Sequence, residues 1–227
     1  MGAGLERDQF VSDIFREVDE EVRREQLKKL WDRYGILVVA AAVLLVAGIA
    51  AWRGYSWWEA KKAAEAGAAF EVASNLAEAG KHSEAEAAFA KVATEGTASY
   101  RHLARVREAA ELAQIDPKAG LAAYERIAAD GSVAPVLQDV AALRAGILLI
   151  NAGSYDEARM RLEPPAGNDR AFRHTARELL VLAAWRAGNS VEAKRWTDVV
   201  MTDAQTPANI RTRVEMLTTL GPTGGKS

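Results

Sequence analysis

Residues 35–52 read GILVVAAAVLLVAGIAAW, eighteen positions without a charged side chain. A helix of that length rises about 27 Å, close to the hydrocarbon thickness of a bilayer. Nine of these residues are Ile, Leu or Val, and together they favour membrane insertion by about 3–5 kcal/mol. Trp31 and Tyr34 precede the run; Trp52, Tyr55, Trp57 and Trp58 close or follow it. Aromatic rings at both ends match the two water–lipid interfaces. The buried helix of a soluble domain seldom carries aromatic and basic flanks at both ends. The expectation is one transmembrane helix over 35–52, with those six aromatics as its membrane-interface residues.

Five bases stand near its N-terminal end (Arg23, Arg24, Lys28, Lys29, Arg33) and three near the other (Arg53, Lys61, Lys62). This bias predicts a cytoplasmic N-terminus with the C-terminal part across the membrane, which in a Gram-negative bacterium is the periplasmic side of the cell inner membrane. A cleaved signal peptide is the competing reading. Its charged region is short, whereas 34 residues with nine acids and seven bases precede this run. Gly48-Ile49-Ala50 is a poor cleavage site, so an uncleaved signal anchor is expected. The leading stretch 12–33 reads as a helix capped by Ser12 or Asp13, with a thin apolar line of Ile14, Val18 and Val22. Asp19–Arg23, Glu20–Arg24 and Glu25–Lys29 have the acid first, the favourable i,i+4 order.

Beyond the run the chain repeats itself. Gly80-Lys81-His82-Ser83-Glu84-Ala85, Gly153-Ser154-Tyr155-Asp156-Glu157-Ala158 and Gly188-Asn189-Ser190-Val191-Glu192-Ala193 align. A break at Asp116-Pro117 makes the intervals 36, 37 and 35 residues. A period of this length is that of a helical hairpin. Each Gly can end a first helix in a left-handed conformation, and Ser83, Asp156 or Ser190 can cap the second. Ala85, Ala158 and Ala193 let paired helices approach. Phe89, Tyr124, Leu162 and Trp196 fill the gap between neighbours, and Gly146 marks a close approach in a first helix.

This pattern resembles the tetratricopeptide repeat. Val140–Leu162 is the best unit; the second unit lacks the turn Gly and has Gly120 where Ala is expected. The resemblance implies hairpins over 62–94, 98–129, 135–164 and 169–203, and a final helix from Pro207 to Leu220. The fold class expected is all-α: an N-terminal helix and a single transmembrane helix, then an α-solenoid of about four tetratricopeptide-like hairpins. The segments are 1–34 cytosolic, 35–52 in the membrane, 53–61 a juxtamembrane linker, 62–220 the repeats and 221–227 a flexible tail.

The order of parts, with Trp31, Gly35 and Trp52 flanking the span, is similar to the YfgM-like ancillary subunits of the bacterial SecYEG translocon. That resemblance implies a periplasm-facing protein that accompanies export beside a membrane-anchored periplasmic chaperone. Its partners would be Sec translocon subunits, that chaperone and translocating polypeptides.

Catalytic chemistry is not expected. There is no Cys, and the three His (His82, His102, His174) have no His at i+3 or i+4, so no metal site is expected. His102 and His174 read as helix-surface residues and His82 as a packing residue. No phosphate-binding loop, dinucleotide fingerprint or nucleophile elbow occurs. No cofactor is implied. After the span Lys+Arg and Asp+Glu both number 22, which offers no field for nucleic acid.

A binding surface remains. Helical-hairpin arrays present their first helices on a concave face. In this register that face would carry Phe70, Arg105, Leu143, Ile147, Asn151, Glu178, Leu182, Trp185 and Arg186. Trp and Arg are the residue types enriched at hot spots, while Leu143, Ile147 and Leu182 also suit a core. Phe70 and Ser74 occupy places where the carboxylate-clamp variety of the repeat needs basic and Asn side chains, so capture of a C-terminal carboxylate is not expected. Two functions are open: a chaperone-like accessory of the Sec translocon, or a structural adaptor for envelope work such as cell division or cytochrome maturation. A homo-oligomer is also open, through the ends of the stack.

Overall fold

The computed structural model describes the backbone of residues 5–219 and the side chains of residues 24, 25 and 28–219. The described residues form nine α-helices and one 3-10 turn, with no strand among them. The helices are α1 (Leu5–Glu78), α2 (His82–Glu95), α3 (Ala98–Ile115), α4 (Pro117–Ala129), α5 (Pro135–Ala152), α6 (Tyr155–Leu162), α7 (Arg173–Arg186), α8 (Ser190–Thr202) and α9 (Ala208–Thr219). The 3-10 turn is Pro164–Ala166. The chain divides into two compact units, 1–60 and 61–227.

In the first unit every described residue is helical. α1 begins at Leu5, upstream of Ser12 and Asp13, so neither caps it. The apolar line Ile14, Val18, Val22 and the first two acid–base pairs lie outside the described side chains; Glu25 and Lys29 pair at 3.6 Å. Large apolar side chains from Leu30 to Trp58 are exposed, Ile36 by 82%. Only 6% of the most apolar window is buried, at a mean hydropathy of 2.6. α5 is also apolar enough to cross a membrane, but 39% of it is buried and its Leu149 and Ile150 belong to a core. The long apolar helix is therefore compatible with a single membrane anchor. Gly35 is covered because Trp31, one turn earlier, lays its indole over it, 3.2 Å from where a Cβ would be.

Residues 53–61, expected as a linker, are helical. Their one glycine, Gly54, costs about 1 kcal/mol of helix propensity, and Ser56 stays in register by donating to the Trp52 carbonyl at 2.7 Å.

The second unit starts with the last turns of α1. Three of its hairpins turn alike. Gly80, Gly153 and Gly188 have φ of +73°, +83° and +69°. In each, the amide of the residue after the glycine donates to the carbonyl five residues back: Lys81 to Leu76 (3.0 Å), Ser154 to Leu149 (3.0 Å) and Asn189 to Ala184 (2.9 Å). A left-handed glycine closing that bond satisfies carbonyls the helix would otherwise leave bare. The next helix begins one residue later, so its N-cap is Lys81, Ser154 or Asn189. The expected caps Ser83, Asp156 and Ser190 instead lie inside the first turn. Of the true caps, Asn189 accepts the Glu192 amide at 3.2 Å. The degenerate hairpin turns without glycine: Asp116 accepts the Lys118 and Ala119 amides, and Pro117 is the first helical residue.

Each hairpin packs on the next: α3 lies against α2, α5 against α4 and α7 against α6. First helices also touch in succession, α3 to α5, α5 to α7 and α7 to α9. Three apolar cores result, centred on Phe89, on Tyr124 and Ile127, and on Leu162 and Leu180. The four gap-filling positions are all buried. Gly146 is required by Leu162: a Cβ there would stand 2.5 Å from Leu162 Cδ2. Gly120, the departure from the repeat pattern, lies so close to α3 that a Cβ would overlap the backbone of Ala113, 2.7 Å from its nitrogen.

Candidate protein-binding surface

The nine residues expected on the first-helix face separate into core and surface. Leu143 is buried in the largest core. Phe70 is half-buried, with its ring edge-on to Phe89 at 5.2 Å and 5.9 Å from Tyr100. Both contribute packing. Arg105 reaches Asp130 at 2.7 Å, where Ser132 also donates to Asp130. The Ser132 and Arg105 donors together hold the Asp130 carboxyl well below the usual carboxylate range.

The rest lie on α5 and α7, which touch. Asn151 and Arg186 are exposed and joined, Arg186 Nη1 donating to Asn151 Oδ1 at 3.0 Å. Ile147, Leu182 and Trp185 are half-buried. Trp185 Nε1 is shielded from solvent and has no acceptor among the described residues. An indole N–H in that state lacks about one hydrogen bond's worth of stabilisation. Glu178 is turned toward α9, where Arg213 Nη2 donates to it at 2.7 Å. This face is thus an apolar strip bordered by one exposed polar bridge and one ion pair.

The histidines differ from expectation. His82 Nδ1 lies 2.8 Å from Glu111 Oε2, joining α2 to α3 beside a nearly buried carboxylate. His102 is half-buried, and its Nδ1 is shielded with no partner among the described residues. His174 is also half-buried, 3.3 Å from Thr206 Oγ1 and 3.8 Å from Asp203. Burial, and then the neighbouring Arg173, push its pKa below the usual imidazole value.

Around His174 stands a polar cluster that the repeat register did not single out. Arg177, only 4% exposed, donates to the Ala166 carbonyl at 3.0 Å, to Asp203 at 2.7 Å and to Asn168. The Gln205 amide and Arg177 hold Asp203 below the usual carboxylate range. Arg211 Nη2 donates to the Asp203 carbonyl at 2.7 Å. Arg177 therefore ties the 3-10 turn and the α8–α9 connection to α7. Among the described residues no group of three or more His, Asp or Glu is arranged to hold a metal.

Residues 28–209 match the family model described as a tetratricopeptide repeat-like domain. The chain belongs to that family. No curated protein and no solved structure gives a significant match. Tetratricopeptide repeat-like domains are protein-interaction modules and are typically non-catalytic. The stacked first helices of this one offer the extended surface such modules use.

Proposed function

We propose that the protein is a non-enzymatic, inner-membrane-anchored binding module that works beside the Sec translocon and periplasmic chaperones on exported proteins. The observation that carries this reading is the uncovered apolar stretch of α1, with aromatics at both ends, preceding a repeat-like domain. The same order of parts underlies the likeness to the YfgM-like ancillary subunits. In this reading residues 35–52 span the membrane, Trp31, Tyr34, Trp52, Tyr55, Trp57 and Trp58 lie at its interfaces, and the N-terminus is cytoplasmic. The repeats face the periplasm and hold a membrane-anchored chaperone or an emerging chain on Ile147, Asn151, Leu182, Trp185 and Arg186. An extended or amphipathic segment suits that strip, because Trp185 and Arg186 are of the types that anchor interfaces.

The test is extraction of the full-length protein in a mild detergent, followed by identification of what co-purifies. Channel subunits together with a periplasmic chaperone support the proposal. Recovery of division or cytochrome-maturation proteins alone overturns it in favour of an envelope adaptor.

A further inference from the structure

We propose that the cleft between α4 and α6 is a second docking site, for a peptide that carries a bulky apolar side chain next to a carboxylate. The cleft has a volume of about 540 Å³. It exists because the backbones of α4 and α6 stay apart, the two helices meeting through side chains, and because its walls are small: Ala128 and Ala129 from α4, Ala142 and Ala145 from α5. Met160 stands at the mouth, 53% exposed. At the next junction Tyr155 of α6 spans to Glu192 of α8 at 3.2 Å; the junction between α4 and α6 is bridged by an ion pair that leaves the space beneath it open.

The rim decides which peptide fits. Arg161 donates Nε to Glu125 at 2.8 Å, with Nη2 at 2.6 Å. Arg170 directs Nε and Nη2 at Asp139, with Nε at 3.1 Å from both oxygens. Both guanidiniums use the same edge, and neither Nη1 has a partner among the described residues. Glu125 balances Arg161 at the surface. Asp139, by contrast, has a side chain only 5% exposed, against 30% for Arg170. Asp169, exposed beside Arg170, offsets that cation, so what the mouth offers above its apolar floor is the two Nη1 donors and not a net positive charge. A partner's aromatic or aliphatic side chain would bury in the cleft, and an adjacent Asp or Glu would accept from Nη1.

This site is separate from the strip proposed above. At about 100° per residue along α5, Gln138, Ala142 and Ala145 share one face, and Ile147 and Asn151 lie opposite. A partner can thus be held on one face without touching the other.

The experiment pans a 12-residue phage-displayed peptide library on the full chain in detergent micelles. Selected peptides, synthesised with a terminal fluorescein, are then titrated with the unlabelled protein and its variants and followed by fluorescence anisotropy. A separate Met160→Cys protein, whose thiol is unique because the sequence has no cysteine, carries a photo-crosslinker. The expected selection is Phe, Leu or Trp beside Asp or Glu. Ala142→Phe, which fills the cleft, and Met160→Glu, which sets an acid at the exposed rim, should each weaken binding at least tenfold. Trp185→Ala should leave it within twofold. The proposal is overturned if no apolar–acidic consensus emerges, or if both cleft variants keep helical circular dichroism and bind within twofold of the parent. It is equally overturned if Trp185→Ala abolishes binding, which assigns the peptide to the other face, or if crosslinking from residue 160 captures a second copy of this chain.

Discussion

Gly146 on α5 sits directly beneath the side chain of Leu162 on α6, which has no exposed surface. A Cβ on Gly146 would fall 2.5 Å from Leu162 Cδ2 and 2.6 Å from its Cγ. In an exposed helix Gly→Ala stabilises by about 1 kcal/mol. Here the sign reverses, because Leu162 has nowhere to move. Gly146→Ala should destabilise by about 1–3 kcal/mol, and Leu162→Ala by about 2–5 kcal/mol through the cavity it leaves. Urea titration of the full chain in micelles, followed by circular dichroism, measures both.

Gly120 should be less forgiving than Gly146. Its neighbour is the backbone of Ala113, not the end of a flexible side chain. Gly120→Ala therefore has to push α4 away from α3, although Ala is what the repeat pattern would place there. The expected loss exceeds that of Gly146→Ala in the same titration. A loss smaller than that of Gly146→Ala would show that α3 and α4 are not so closely seated.

Arg177 is buried, and its three partners lie in two connections, Ala166 and Asn168 between α6 and α7 and Asp203 between α8 and α9. Its replacement by Ala removes the donor to the Ala166 carbonyl and one of the donors to Asp203, which keeps the Gln205 amide, so the protein should lose stability. The α8–α9 connection should then open ahead of the rest. Hydrogen exchange read by mass spectrometry should show faster exchange over residues 203–219 in Arg177→Ala, with 82–95 unchanged.

His174 makes stability depend on pH with a defined sign. Its folded pKa lies below the unfolded value of about 6.5, so between the two the unfolded chain binds more protons. The contribution is complete above about 6.5 and is lost as pH falls through that window. The melting temperature should drop on going from pH 7.5 to 5.5, and by less in His174→Gln. An equal drop in both would remove His174 as the cause.

What the sequence made legible follows the range of each interaction. The turns at Gly80, Gly153 and Gly188 need a left-handed residue at one place, and their local pattern located them. The helix caps were shifted because the turn is only one residue longer than its glycine, so the cap is Lys81, Ser154 or Asn189 and not the polar residue further on. Asp116 was legible as a break, but the role of Gly120 was not, since it depends on how closely α3 passes. Long-range polar pairs were hidden for the same reason: His82 with Glu111, Arg161 with Glu125 and Arg170 with Asp139 lie about thirty residues apart. On the binding face, Asn151 and Arg186 could be set on one surface by repeat register. Leu143 could not be separated from the core, because one turn of a packed first helix carries both core and surface positions.

The central claim is an apolar helix held in lipid with the helical repeats on its far side, and site-directed labelling tests it most directly. Val191→Cys places a single thiol on α8 at a position 75% exposed. Intact spheroplasts of a Gram-negative host expressing this variant would be treated with a membrane-impermeant maleimide. Labelling without lysis, on protein that stays with the membrane, is the result predicted. Labelling only after lysis, or full-length protein in the soluble fraction, would contradict the account.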